Sequence, residues 1–157
     1  MKKFPAVSLF IFLMSAFVFG QGTGQGYLFV APGSSWRTTT VHFGGGGEAD
    51  LYKGLGLGID LGYMAPTKYY GSGIGIFSPN GRFAFRISDD SKLVPYVTAG
   101  YSLLFRTHTA NAYNYGGGID YWFAEKYGLK VEFRDHVLTN CIRNCHAYQV
   151  RMGVSFR

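Results

Sequence analysis

The chain has 157 residues, 47% hydrophobic and 18% aromatic but only 15% charged, with a formal net charge of +6. A soluble domain averages about 25% charged residues, so this composition excludes a heavily solvated surface, and the 23 glycines, spread along the chain, argue against a disordered tract. Lys and Arg are scattered among Asp and Glu rather than clustered, so no nucleic-acid partner is expected.

Residues 1–20 read as a secretory signal. Lys2 and Lys3 form a positive start, Val7 to Phe19 are apolar apart from Ser8 and Ser15, and Val18-Phe19-Gly20 suits cleavage before Gln21. The apolar run is shorter than the roughly 20 residues a spanning helix needs. Two segments follow: 1–20, a cleaved signal peptide, and 21–157, a single domain.

Beyond residue 20 the dominant signal is a period of two, the mark of strands with one apolar and one polar face. Residues 25–31 are strand-like without clear parity. About 40–51, Val41, Phe43, Ala49 and Leu51 oppose His42, Glu48 and Asp50. Leu55, Leu57, Ile59, Leu61 and Tyr63 alternate with four glycines and Asp60. The stretch at about 74–87 is weaker, with Phe83, Phe85 and Ile87 against Arg82, Ala84 and Arg86. Val97 to Phe105 oppose Thr98, Gly100, Ser102 and Arg106. Tyr113 to Phe123 oppose Asn114, Gly116, Gly118 and Asp120, and Leu129, Val131 and Phe133 oppose Lys130, Glu132 and Arg134. The tail sets Tyr148, Val150, Met152, Val154 and Phe156 against Gln149, Arg151, Gly153 and Ser155. Tight polar turns at 52–54, 88–92 and 124–128 alternate with the more varied segments 32–38, 64–73, 107–112 and 138–146. This is the wiring of an up-and-down barrel of about eight strands.

Period two alone does not say which face is buried. The polar face here is mostly glycine, serine and threonine with single charges of both signs, unlike the Lys/Glu-rich surface of a soluble protein. The longest windows match the roughly 9–11 residues of a tilted strand crossing a bilayer. Aromatics stand at both ends of the apolar face, as a lipid-interface girdle requires. The expected fold is therefore all-β, an eight-stranded antiparallel up-and-down transmembrane β-barrel, closed because every backbone N–H and C=O in lipid must be paired. An even strand number returns both termini to the periplasm.

The signal, the meander, the stretch Y-N-Y-G-G-G-I-D-Y-W-F-A-E-K-Y-G-L-K-V-E-F-R-D-H and the aromatic C-terminal strand resemble the outer-membrane β-barrel family, the small barrels similar to the OmpA transmembrane domain and OmpX. The resemblance implies a monomer in the bacterial outer membrane, surrounded by lipid bilayer and lipopolysaccharide and delivered by the barrel-assembly machinery. Tyr148, Val150, Met152, Val154 and Phe156 then combine girdle and assembly signal. Arg157 departs from the family's terminal phenylalanine, and no periplasmic peptidoglycan-binding domain follows.

Three constellations could carry chemistry. Cys141 and Cys145 share C-I-R-N-C-H in the last loop and, in an oxidising envelope, are expected to form a disulfide. A metal site with His146 lacks a second half, and no cofactor or metal is expected. The inward charges Glu48, Asp50, Asp60, Asp120 and Glu132 stand against Arg82, Arg86, Arg106, Lys130, Arg134 and Arg151. They nearly neutralise one another, and either plug the lumen or line a narrow ion path. The lipid A deacylase family, similar in size, uses a His-x-Ser pair. Here T-H-T-A-N puts Ala110 two residues after His108, and all four histidines are read as lumen or loop residues. An enzyme is not expected. The function expected is a structural, envelope-integrity or surface-interaction role with a largely closed lumen. The alternative is a narrow pore for ions or small solutes.

Overall fold

The computed structural model describes residues 24–35, 38–68, 72–85, 91–106, 108–139 and 146–157. Residues 1–20, Arg86, Cys141 and Cys145, with Trp36, Tyr69 and Tyr70, lie outside the described residues.

Eight strands follow one another: β1 (Gly24–Ser35), β2 (Thr38–Tyr52), β3 (Leu55–Pro66), β4 (Ile74–Ala84), β5 (Leu93–Phe105), β6 (Thr109–Trp122), β7 (Tyr127–Leu138) and β8 (His146–Phe156). Each pairs antiparallel with the next, and β8 closes on β1 to complete the barrel. The fold is an eight-stranded antiparallel up-and-down β-barrel, and every strand has a partner on each side.

The start of β1 and the end of β8 share one end with the short turns, here the terminal end; the other is the loop end. Between β2 and β3, Lys53 and Gly54 have φ of 44° and 86°. Positive φ at both central residues is the signature of the tight turn whose twist matches a hairpin. At the loop end several strands run further than alternation in the sequence suggests. β1 reaches Ser35, β7 reaches Leu138 and β8 starts at His146. Polar outward residues such as Asp135 and His146 interrupt the apolar face there and blur the pattern.

Facing is inverted relative to a soluble protein. Leu28, Val30, Leu57, Leu61, Val97, Ile119, Val131, Val150, Met152 and Val154 are all exposed, while Glu132, Arg134, Asp60 and Asp120 are almost completely buried. Aromatics bracket this apolar belt. Tyr52, Phe83, Tyr121, Tyr127 and Phe156 are exposed near the terminal end, and Phe43, Tyr63, Phe105, Tyr113 and Tyr148 near the loop end. Residues 25–31 acquire a parity: Tyr27, Phe29 and Ala31 point in, Leu28 and Val30 out.

Pro32, Pro66, Pro79 and Pro95 lie within strand bounds, and two of them fall at gaps in a ladder. The β4–β5 ladder is interrupted around Pro79, between the pairs Phe77–Leu103 and Asn80–Gly100. The β1–β8 ladder is interrupted around Pro32, between Val30–Met152 and Gly33–Gln149. A proline lacks the N–H a ladder needs. At the first gap Ser78 Oγ and Ser102 Oγ, 2.7 Å apart, join the two strands through side chains.

Candidate functional site: the filled lumen

Alternation on eight closed strands directs one set of side chains inward, and in a barrel this narrow they meet. From the terminal end upward they form four strata.

In the lowest, Arg82 of β4 faces three carboxylates: Glu48 at 3.2 Å from Nε, Asp50 at 3.2 Å from Nη1 and Asp120 at 2.5 Å from Nη2. Lys130 of β7 lies 3.1 Å from Glu48 and 3.2 Å from Asp120. Gln25 donates to both acids, at 2.7 and 3.2 Å. The Lys130 ammonium is also wedged between the rings of Tyr27 and Tyr96, 4.7 and 4.2 Å from their centroids. Ring faces favour a desolvated cation.

The second stratum centres on Asp60 of β3. Its Oδ2 lies 2.5 Å from Arg134 Nη1 and 3.1 Å from Arg151 Nη1, and accepts from Asn80 Nδ2 at 2.8 Å. Its Oδ1 accepts from the Tyr27 hydroxyl. Glu132 lies 2.6 Å from Arg134 Nε and 3.6 Å from Arg151, and accepts from Tyr96 at 2.8 Å. The two tyrosines need space that the opposing strands supply. A Cβ at Gly46 would stand 2.7 Å from the Tyr27 hydroxyl, and one at Gly118 2.8 Å from that of Tyr96.

The third stratum is neutral and polar. Gln149 bridges two imidazoles, 2.9 Å from His42 Nδ1 and 2.6 Å from His136 Nε2. His136 Nδ1 is 3.1 Å from Ser102 Oγ, which also accepts from Asn114 at 2.9 Å. A serine beside a histidine can be a nucleophile with its base. Here both are buried in the barrel interior.

The fourth stratum is apolar. Met64, Ile76, Leu104 and Ala112 pack together at the loop end, with Ile74, Ala110 and Leu138 against them. The terminal end is narrowed by Trp122, buried and inward-facing. Arg157 stacks its guanidinium 4.0 Å from the Trp122 ring centroid, while its N–H donates to Lys126 O at 3.1 Å and its Nε to Glu125 O at 3.1 Å. The residue that departs from the resembled family thus ties the C-terminus to the β6–β7 turn.

The structure brings Glu48, Asp50, Asp60, Asp120, Glu132, Arg82, Lys130, Arg134 and Arg151 together inside the barrel. Arg106 is a correction: it was expected in the lumen, but it stands beyond the end of β5, exposed, and donates to Ser72 O at 3.1 Å. Its parity was inward, yet the strand stops at Phe105, one residue too soon for parity to place it. Among the described residues the lumen therefore holds five carboxylates and four cations. His146 is a second correction. It is the first residue of β8, on the outer wall, and its Nδ1 lies 2.6 Å from Asp135. Its partner Asp135 is a carboxylate in the outward register of β7, after Leu129, Val131 and Phe133, and that break in the apolar alternation is its signal in the sequence. Tyr148, Val150, Met152, Val154 and Phe156 all face outward and are about half exposed.

A closed antiparallel barrel, apolar outside and charged within, defines the class of small transmembrane β-barrels. Among solved structures the chain is similar to the N-terminal β-barrel domain of Pseudomonas aeruginosa OprF, with 17% identity, 87% of this chain and 98% of that one covered, and a TM-score of 0.66. It is similar to Neisserial surface protein A at 16% identity, covering 85% and 94%, with a TM-score of 0.62. A de novo designed transmembrane β-barrel is similar too, at 22% identity, 86% and 94% coverage and a TM-score of 0.59. A likeness that extends to a designed barrel speaks to architecture alone. No family model matches the chain, and no curated protein matches it in sequence.

Proposed function

We propose that the chain is an integral protein of the bacterial outer membrane with a structural, envelope-integrity or surface-interaction role, and that its lumen is closed. One observation carries this reading. The ion pairs of the two lower strata lie between an apolar cluster at the loop end and Trp122 at the terminal end. An eight-stranded interior is just wide enough for side chains to fill. Export through a cleaved signal at 1–20, passage through the assembly machinery, contact with lipopolysaccharide and a monomeric state belong to the same proposal. So does the Cys141–Cys145 disulfide. In this orientation the terminal end faces the periplasm.

Protein refolded into a planar bilayer tests the reading. No steady current steps are expected, and reproducible single-channel conductance overturns it. A second reading, a narrow path for ions or small solutes, is favoured by one feature. Arg151 Nε and Nη2 and His42 Nε2 are buried without a hydrogen-bond partner among the described residues, as groups lining a hydrated path are. The same recording decides between them.

A further inference from the structure

The neutral third stratum is a continuous belt of side chains. Gln149 of β8 joins His42 of β2 to His136 of β7, with its Oε1 2.9 Å from His42 Nδ1 and its Nε2 2.6 Å from His136 Nε2. His136 Nδ1 continues to Ser102 of β5 at 3.1 Å, and Ser102 to Asn114 of β6 at 2.9 Å and Ser78 of β4 at 2.7 Å. All six side chains are buried. The belt reaches both proline gaps. Ser78 and Ser102 lie within the gap in the β4–β5 ladder, and Gln149, opposite Gly33, is the first residue paired beyond the gap at Pro32. Its bond to His42 ties β8 to β2 across β1, where the β1–β8 ladder is broken.

The bridge admits one proton and not two. An amide has a donor end and an acceptor end. Whichever way Gln149 is turned, one of the two facing ring nitrogens must offer a lone pair, so at least one imidazole is neutral. A first added proton is accommodated, because the amide can turn its oxygen to the charged ring. A second leaves the NH₂ end facing an N–H. The charge is uncompensated as well. Among the described residues no carboxylate pairs with either ring. The charged groups facing them are Arg151 of β8, Arg134 of β7 and Asp60 of β3. From β1, Phe29 meets His42 edge-on at 5.0 Å between centroids, while β4, β5 and β6 present Ser78, Ser102 and Asn114. Asp60 and Glu132 are already shared between the two arginines. Above lies the apolar cluster, with Met64 opposite His42 in register. Unpaired charge in such surroundings is costly until water reaches it.

We propose that His42, Gln149 and His136 form an acid-sensitive latch. With one ring neutral, the belt holds the wall together at the two proline gaps. With both rings charged, Gln149 releases them and water enters the wall there. The open state binds protons that the closed one refuses, so the closed wall is favoured at neutral pH and lost as the pH falls. The latch stands whether or not the lumen conducts at neutral pH.

The test uses the full chain, labelled with ¹⁵N, in phosphatidylcholine nanodiscs titrated from neutral pH to about pH 3. Ring-nitrogen shifts report the charge on each imidazole, and amide hydrogen exchange, corrected for its intrinsic pH dependence, reports the wall. His42 and His136 are expected to charge together. In the same step, amides flanking the two gaps should lose protection about tenfold, the scale of one lost hydrogen bond. The β2–β3 ladder between Gly46 and Ala49, near the terminal end, should keep its protection. Gln149→Glu supplies a carboxylate that accepts from two charged rings and should abolish the step. His42→Phe leaves one titrating ring, whose proton the Gln149 oxygen accepts, and should abolish it too. Heat-modifiable gel mobility reports whether each variant folds, and the wild-type titration decides alone if one does not. Protection lost while either ring is still neutral overturns the proposal, since other groups then carry the acid response. Protection kept with both rings charged overturns it, as do rings that stay neutral throughout.

Discussion

Asp60 receives more of the lumen's donors than its neighbours do: Arg134, Arg151, Asn80 and Tyr27 all converge on its two oxygens. Its removal leaves two guanidiniums with Glu132 as their remaining carboxylate partner in the middle of the barrel. Breaking a buried ion pair from one side costs about 3–5 kcal/mol, because the surviving charge is left without compensation. Asp60→Asn is therefore expected to lower the urea midpoint of the refolded protein by an amount on that scale. A change no larger than that of a surface substitution would show that the network is solvated rather than packed. Gly46 is the second sensitive residue. An alanine there meets Ile59 O at 2.5 Å as well as Asp60 Oδ1 and the Tyr27 hydroxyl, each at 2.7 Å. Backbone cannot withdraw as a flexible side-chain tip can, so Gly46→Ala should cost about 1–3 kcal/mol, the usual penalty for overpacking. The check is a lower midpoint with an unchanged denaturant slope.

At the scale of the element, β8 shows how neighbouring residues experience opposite solvents. Arg151 is 2% exposed inside the lumen and Met152 is 48% exposed outside it. A lysine at position 152 lies on the lipid face, and Met152→Lys should destabilise the barrel by about 2–4 kcal/mol if the position is near the bilayer midplane. Equilibrium unfolding in phospholipid vesicles measures this. In a soluble barrel the same change would be nearly neutral, so the experiment tests facing directly. The end of β8 makes a smaller prediction. Arg157→Ala removes the contact with Trp122, worth about 0.5–1 kcal/mol at an exposed site. In a Trp36→Phe background the emission of Trp122 is expected to shift, with little effect on the unfolding midpoint.

For the whole molecule, closure is what makes the charges tolerable. Open strands would leave Arg82 and Asp120 to solvent, but the pairing of β1 with β8 encloses them within 2.5 Å of each other. The same closure turns an amphipathic meander inside out, with ion pairs as the core and leucine, valine and tyrosine as the surface. The conductance measurement belongs at this scale, because it asks whether the strata together form a seal. Much of this architecture was legible beforehand. The alternation in Leu55–Tyr63 and Tyr148–Phe156 is clean because their lipid faces carry large apolar or aromatic residues and their inward residues are small, polar or charged. Strand ends were less legible. At the loop end polar residues such as Asp135 and His146 appear at outward positions, and period two fades while the backbone ladder continues.

Sequence by itself determined the secondary structure, the number of strands, the inward-facing register of Asp60, Glu132, Arg134 and Arg151, and the lipid-facing register of the tail. Each follows from a local period, and a strand has only two faces. Only the tertiary structure decided which charges meet. Asp60 and Arg151 are 91 residues apart in the chain and become partners because β3 and β8 face each other across a closed lumen. It also decided that Arg106 stands outside, since one residue of strand length separates the lumen from solvent. And it joined Asp135 to His146 across the last hairpin, an outer-wall pair that alternation passes over because both residues break the pattern it reads.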